Sequence, residues 1–373
     1  MVESGSSRSD GGGGLRRASG RPRLRTMVVT VLSVLAALTA AGVAPASAHG
    51  DDGGGGRHGG GRCRSTAVGG DQTITVDGAA VLVHLPAGYD RDRVPLVLDL
   101  HGSSSSGAGQ MAGDGIRALS DSEGFAVAAP DGAVPFSPAP GFSGFAWNIP
   151  GVPLVGTTVY PPAGTRDDVQ FLAHVIDAVS SLACVDASRV YATGVSGGGR
   201  MASQLACDLP DRIAAIAPIS GVRFPMAADT PPHTVTCSPG RAVPVIAIHG
   251  VWDPVNAFAD TPPAEASTLP AKINPPVPGS SWSYSAQTAV QRWAANNGCR
   301  PTPKVRAETP NIDVVSYRGC RANGDVVLYQ VKNSGHASPG HGNPALDFLL
   351  NPTNTEVDGT VVAWQFLEAH RLK

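Results

Sequence analysis

Arg189-Val190-Tyr191-Ala192-Thr193-Gly194-Val195-Ser196-Gly197-Gly198 carries an apolar strand pattern straight into a glycine-rich turn. Arg200, Met201 and Leu205 follow as a helical segment. G-x-S-x-G is easily matched by chance in a chain with 46 Gly, so context decides. A strand before it and a helix after it are the setting of a nucleophile elbow. Such a turn is tight, and the residues two before and two after the serine must be small, as Gly194 and Gly198 are. The helix start also directs free backbone N–H groups at the site. The competing reading is a strand-to-helix turn whose Ser196 only caps the helix.

A serine hydroxyl is a weak nucleophile near neutral pH and needs a base, which a carboxylate in turn orients. With an elbow of this kind the chain order is serine, acid, histidine. Downstream, Ile248-His249-Gly250-Val251-Trp252-Asp253 places Asp253 just past a strand end, and Asn333-Ser334-Gly335-His336 follows a later strand. Asp253 and His336 are therefore the candidate acid and base. His341, five residues on in the same loop, is the rival base. His101 and His249 each follow a strand but precede Asp253, so structural roles are expected of them. Asp167 and Asp168 open a helix, where carboxylates meet the helix N-terminus favourably. A tetrahedral intermediate needs backbone donors. Gly197 N–H is the first candidate, and Ser103 N–H, in the loop His101-Gly102-Ser103, is the second.

Working outward, strands and helices alternate, which predicts an α/β fold with a mostly parallel sheet and helices on both faces. A hairpin is expected over Thr73–Leu85 with Asp77-Gly78 at its turn. Pro95–Leu100 reads as an apolar buried strand, and a helix is expected around Met111–Ser122. The stretch 131–166, rich in Gly and Pro and containing Trp147-Asn148, reads as a long surface excursion. Helices are expected from Asp167, from Gly198, up to Asn297 and over Val361–His370. Further strands are expected over Ile213–Ile219, Val243–Ile248, Asp313–Tyr317 and Asp325–Lys332.

The N-terminus has Arg16, Arg17, Arg21, Arg23 and Arg25, then the apolar run Met27–Val43 and Ala44-Pro45-Ala46-Ser47-Ala48. This pattern predicts a signal peptide over residues 1–48 and export. The apolar run is short for a membrane span, and no span is expected after processing. Residues 49–70 read as a flexible Gly-rich arm, and 71–373 as the catalytic domain. Six cysteines remain beyond residue 48, an even number that in an oxidising compartment favours disulfides. Cys299 with Cys320 is the expected pair, closing a short loop between a helix and a strand.

Residues 1–48 hold six Arg against Glu3 and Asp10, which leaves 22 basic and 28 acidic side chains on the remainder. With no Lys/Arg block there, nucleic acid is excluded as an expected partner. No Cys/His cluster has zinc spacing, so no metal is expected. A monomer is the expected state.

Beyond these single motifs, an ordered series of stretches resembles one family. They are Pro95–Gly102, Arg189–Gly198, Cys207–Pro218, His249–Pro254, and Gly335-His336 with Pro339-Gly340. Trp147-Asn148 and Asp167-Asp168-Val169 also fall where that family has similar residues. The family is that of extracellular polyhydroxybutyrate depolymerases and feruloyl or acetylxylan esterases, in the α/β-hydrolase superfamily. The resemblance implies an α/β-hydrolase fold and hydrolysis of carboxylic esters, polyester or acylated polysaccharide, through an acyl-enzyme without a cofactor. The family often has a larger residue where Gly197 stands, a Trp where Ser338 stands, and in some members Cys where Ser103 stands. A serine peptidase on the same fold and a non-catalytic secreted binding protein are the alternative functions.

Overall fold

A computed structural model of the chain describes residues 65–225, 237–273 and 284–373. The expected signal peptide and most of the expected arm lie outside the described residues. Within them, Ser65 and Ala67 are buried, and Ser65 Oγ donates to the Leu182 carbonyl at 2.6 Å.

The elements in chain order begin with the hairpin β1 (Gly70–Val76) and β2 (Ala79–Leu85). They continue with β3 (Val94–Leu100), α1 (Gly107–Gly113), α2 (Ile116–Glu123), β4 (Ala126–Pro130), β5 (Val134–Phe136) and β6 (Gly144–Ala146). Next come α3 (Asp168–Leu182), β7 (Val185–Val195), α4 (Gly197–Asp208), β8 (Ala215–Ile219) and β9 (Val245–Gly250). The series closes with α5 (Ala286–Asn296), β10 (Lys304–Thr309), β11 (Ile312–Tyr317), β12 (Val326–Val331), α6 (Asp347–Leu350) and α7 (Gly359–Leu367).

Ten strands form one sheet in the order β1-β2-β4-β3-β7-β8-β9-β12-β11-β10. The six central strands, β4 to β12 in that order, are parallel. Each edge is finished by antiparallel strands. The predicted hairpin turn is present: Val76 pairs with Ala79, and Asp77 and Gly78 both take positive φ, at 48° and 79°, as a two-residue turn of this type requires.

Strand parity builds two cores. Leu96, Leu98 and Leu100 of β3 pack with Phe171 and Leu172 of α3, Met201 of α4 and Val290 of α5. Val97 belongs to the opposite face, with Met111, Ile116 and, from α7, Trp364. Helices thus cover both faces, as expected from the alternation, in the α/β-hydrolase arrangement that the resemblance implied.

Three local readings are corrected. The helix expected across Met111–Ser122 is two helices, broken where Gly115 takes φ 74° and the Asp114 carboxylate accepts from Ile116 N–H. The stretch Pro95–Leu100 is not wholly apolar, since Asp99 lies in it and is fully buried. An additional edge strand, β10, carries almost only exposed residues and therefore lacks the burial alternation that reveals a strand.

Candidate active site

The C-terminal ends of β3, β7, β9 and β12 open on the same edge of the parallel sheet. That is where open α/β sheets gather their functional loops. Ser196 stands between β7 and α4 with φ 56°, ψ −114°, in a backbone region unfavourable for a non-glycine residue. It occupies the N-cap position, yet its side chain makes no capping hydrogen bond. The simple capping alternative therefore does not describe it. Its backbone N–H is held by the Ile219 carbonyl at 2.9 Å. The need for glycine on either side is steric: a Cβ at position 194 or 198 would lie 2.2 or 1.8 Å from the Leu100 carbonyl oxygen.

Asp253 is fully buried beyond β9, and His336, beyond β12, is 8% exposed. His336 Nδ1 lies 2.8 Å from Asp253 Oδ2. An ionised carboxylate only accepts, so Nδ1 carries the proton and Nε2 is left as the basic nitrogen. The other carboxylate oxygen accepts from Val255 N–H at 2.8 Å and Asn256 N–H at 2.7 Å. Burial would raise the pKa of this acid, but His336 and His249 beside it hold it well below the ordinary carboxylate range. The rival His341 is directed elsewhere, its Nε2 3.0 Å from Asp358 Oδ1.

Sequence reasoning gave His249 a structural role without finding its partners. Its Nε2 lies 2.9 Å from the Asn256 carbonyl and 3.2 Å from Asp253 Oδ2, the same oxygen that His336 contacts, so it braces the acid beside His336. Asn256 also accepts from the Arg200 guanidinium and donates to the Ser220 carbonyl. Arg200 sits on α4 four residues after Ser196, and burial pulls its pKa down to about 9 against the pull of Asp253. Asn256 therefore ties the acid loop to the helix that carries the serine. The spacing of these residues gave no sign of it, because every partner is distant in sequence.

The loop after β3 brings Ser103 beside Gly197. It is braced by the excursion 131–166. His101 Nε2 accepts from Gly132 N–H at 3.0 Å, Trp147 Nε1 donates to the His101 carbonyl at 2.8 Å, and the two rings stack at 4.8 Å. Ser104 N–H donates to the Phe145 carbonyl and Phe145 N–H to that of Ser105, at 2.9 and 2.8 Å. The two aspartates opening α3 divide the work. Asp167 caps the helix, accepting from Val169 and Gln170 N–H. Asp168, fully buried, accepts from Ala133 N–H at 3.0 Å, Asn148 N–H at 2.9 Å and the Arg166 guanidinium at 2.7 Å. Its carboxylate thus serves the excursion rather than the helix end.

Cys299–Cys320 is a disulfide, as expected; Cys207–Cys237 is a second, and Cys184 is also disulfide-bonded. Cys63 lies outside the described residues. Among the described residues no group of three or more His, Cys, Asp or Glu side chains could hold a metal ion, and no helix is long and apolar enough to cross a membrane.

Known proteins similar to this chain carry esterase names. "Putative esterase NocK" of Nocardia uniformis subsp. tsuyamanensis is 30% identical over 277 residues, 73% of this chain and 74% of that protein. "Feruloyl esterase B" of Piromyces equi is 30% identical over 271 residues, 72% of this chain. The chain spans 44% of the length of that feruloyl esterase. "Poly(3-hydroxyalkanoate) depolymerase C" of Paucimonas lemoignei is 29% identical over 157 residues, 42% of this chain and 34% of that one. Among solved structures, an acetyl xylan esterase from Aspergillus awamori aligns with a TM-score of 0.48 at 17% identity, covering 75% of this chain and 98% of that chain. No family model matches. The chain belongs to the esterase family of NocK and feruloyl esterase B.

Proposed function

We propose that Ser196, His336 and Asp253 are the catalytic triad of a secreted esterase acting on polyester or on feruloyl or acetyl esters of polysaccharide. The observation that carries the reading is the 2.8 Å contact between His336 Nδ1 and the buried Asp253, which leaves Nε2 as the basic nitrogen for Ser196. In the reaction, Ser196 Oγ attacks the ester carbonyl as His336 Nε2 takes its proton. Asp253 steadies the imidazolium so formed. Gly197 and Ser103 N–H groups receive the oxyanion. His336 returns the proton to the departing alcohol, leaving an acyl group on Ser196. Water, deprotonated by the same nitrogen, then releases the acid.

The disulfides support export, since such bonds persist in oxidising compartments. The names of the relatives support the two substrate classes. Short p-nitrophenyl esters test the chemistry: Ser196→Ala should lower kcat by about four orders of magnitude or more. His336→Ala should do the same, and His341→Ala should leave turnover nearly intact. Undiminished turnover in Ser196→Ala would overturn the assignment. Ferulate esters, acetylated xylan and polyhydroxybutyrate offered side by side identify the substrate, and an ester against its matching amide excludes peptidase action.

A further inference from the structure

Behind the sheet, on the face away from α3, α4 and α5, lies a cavity of about 20 Å³ that the hydrolytic mechanism does not use. Asp99, Asp114, Gln110, Ser338 and Trp364 are among its lining residues. Four polar atoms there are buried without any hydrogen-bond partner: both carboxyl oxygens of Asp99, Ser338 Oγ and Trp364 Nε1. Their residues are 0%, 4% and 5% exposed. Buried polar atoms are rarely left unpaired, because each then bears its full desolvation cost. Orphans gathered round one cavity mark a missing partner. A space of this size holds about one water, and a water needs two to four polar contacts.

The two carboxyls are not equivalent. Asp114 is supplied with donors, Ile116 N–H at 3.1 Å and Gln110 Nε2 at 3.0 Å, and its backbone carbonyl accepts from Thr360 Oγ1 of α7. Asp99 has no backbone donor, and only Gln110, which also serves Asp114, and Asp114 itself bear on its carboxyl. Two neighbouring carboxylates out of water cannot both stay charged cheaply, so a proton is favoured on the one with fewer donors. Burial, with Asp114 beside it, pushes the Asp99 carboxyl well above its ordinary value. The remaining charged groups stand on the Asp114 side: His341, which bears on Asp114, and Asp358, its partner at the start of α7. A cation fits poorly, since Trp364 Nε1 and Ser338 Oγ can both present hydrogens to the cavity.

We propose that this cavity is a binding site for one water and one proton. Asp99 is held there as the neutral acid, and the water bridges it to Ser338 and Trp364. The site is independent of ester hydrolysis. It fastens α7 and the segment two residues past His336 to β3, the strand whose Leu100 carbonyl abuts the elbow glycines.

Infrared difference spectra of the full protein and its Asp99→Asn variant at neutral pH test the proton directly. The expected result is a protonated-carboxyl stretch in the parent that the variant lacks; its absence from the parent overturns the proton. Thermal unfolding from about pH 4 to 8 gives a second reading. With its pKa raised in the fold, Asp99 contributes stability fully below the ordinary value of 3.8, and this is lost as pH rises toward the raised value. The parent's folding equilibrium should therefore weaken by up to about tenfold per pH unit relative to Asp99→Asn; parallel curves would overturn the assignment. If that variant does not fold, Asp114→Asn serves in its place: removing the neighbouring charge should narrow the pH range over which stability falls, and an unchanged range counts against the proton on Asp99. A crystal structure should show water density touching Asp99, Ser338 and Trp364, and an empty cavity there overturns the water.

Discussion

Gly197 and Ser103 are in such close approach that a methyl group added at 197 would lie 2.7 Å from Ser103 Oγ and 3.1 Å from Ser103 N. The two candidate oxyanion donors are therefore set by one steric relationship across the site. The absence of a side chain at 197, a departure from many members of the family, is matched by the serine opposite.

Gly197→Ala should therefore push the Ser103 loop away and lower kcat on short esters by about a hundredfold, the size of effect seen when one oxyanion donor is lost. Ser103→Ala on its own should be mild, since the backbone N–H survives. In the double variant the nearer of the two clashing atoms is gone, so part of the lost rate should return. A double-mutant cycle on kcat/KM checks this, and strictly additive effects would refute the coupling.

Asp253 should make the protein acid-sensitive. Its pKa is lowered in the fold, so its stabilising contribution is complete above the ordinary value of 3.8 and is lost as pH falls through the lowered value. Urea midpoints measured from about pH 2 to 6 should fall in the parent and be flatter in Asp253→Asn. The same variant should lose about ten-thousand-fold in kcat through the wrong histidine tautomer.

Asp168 should matter both to stability and to catalysis, although it stands outside the triad. Asp168→Ala strips a fully buried carboxylate from two backbone N–H groups and a guanidinium. Breaking such a pair costs about 3–5 kcal/mol. Denaturant unfolding measures that loss. A fall in kcat with KM little changed would show the excursion's grip on the Ser103 loop, whereas unchanged kcat would argue that the excursion is only structural.

The Cys299–Cys320 bond closes a loop with a sequence separation of 21. Replacing both by Ser should destabilise by about 3 kcal/mol, read as a lower unfolding midpoint, with kcat on small esters nearly unchanged because the site lies on other loops.

The signals that mark the candidate site in the sequence are local. Ser196 announces itself by adjacent glycines between a strand and a helix, and Asp253 and His336 by their places just past apolar strands. What stayed hidden depends on partners far along the chain. His249 and Asn256 acquire roles only when the loop after β9 folds against α4. Asp168 resembles a helix-capping residue until Ala133 and Asn148 arrive at its carboxylate. Asp99 vanished inside a run of Leu and Val because one polar residue hardly disturbs an apolar pattern. In β10, Lys304, Arg306 and Glu308 conceal a strand because an edge needs no buried face.

One oxygen of Asp168 holds both Ala133 and Asn148, residues at either side of the β5–β6 hairpin. This has a consequence for the order of assembly. The excursion has little to settle on until α3 has docked and presented that carboxylate, and the Ser103 loop leans on the excursion in turn. During refolding the sheet and its helices should thus be complete before the chain can turn over an ester. Activity should then return after the bulk of the secondary structure, a lag that stopped-flow refolding followed by ester turnover would measure.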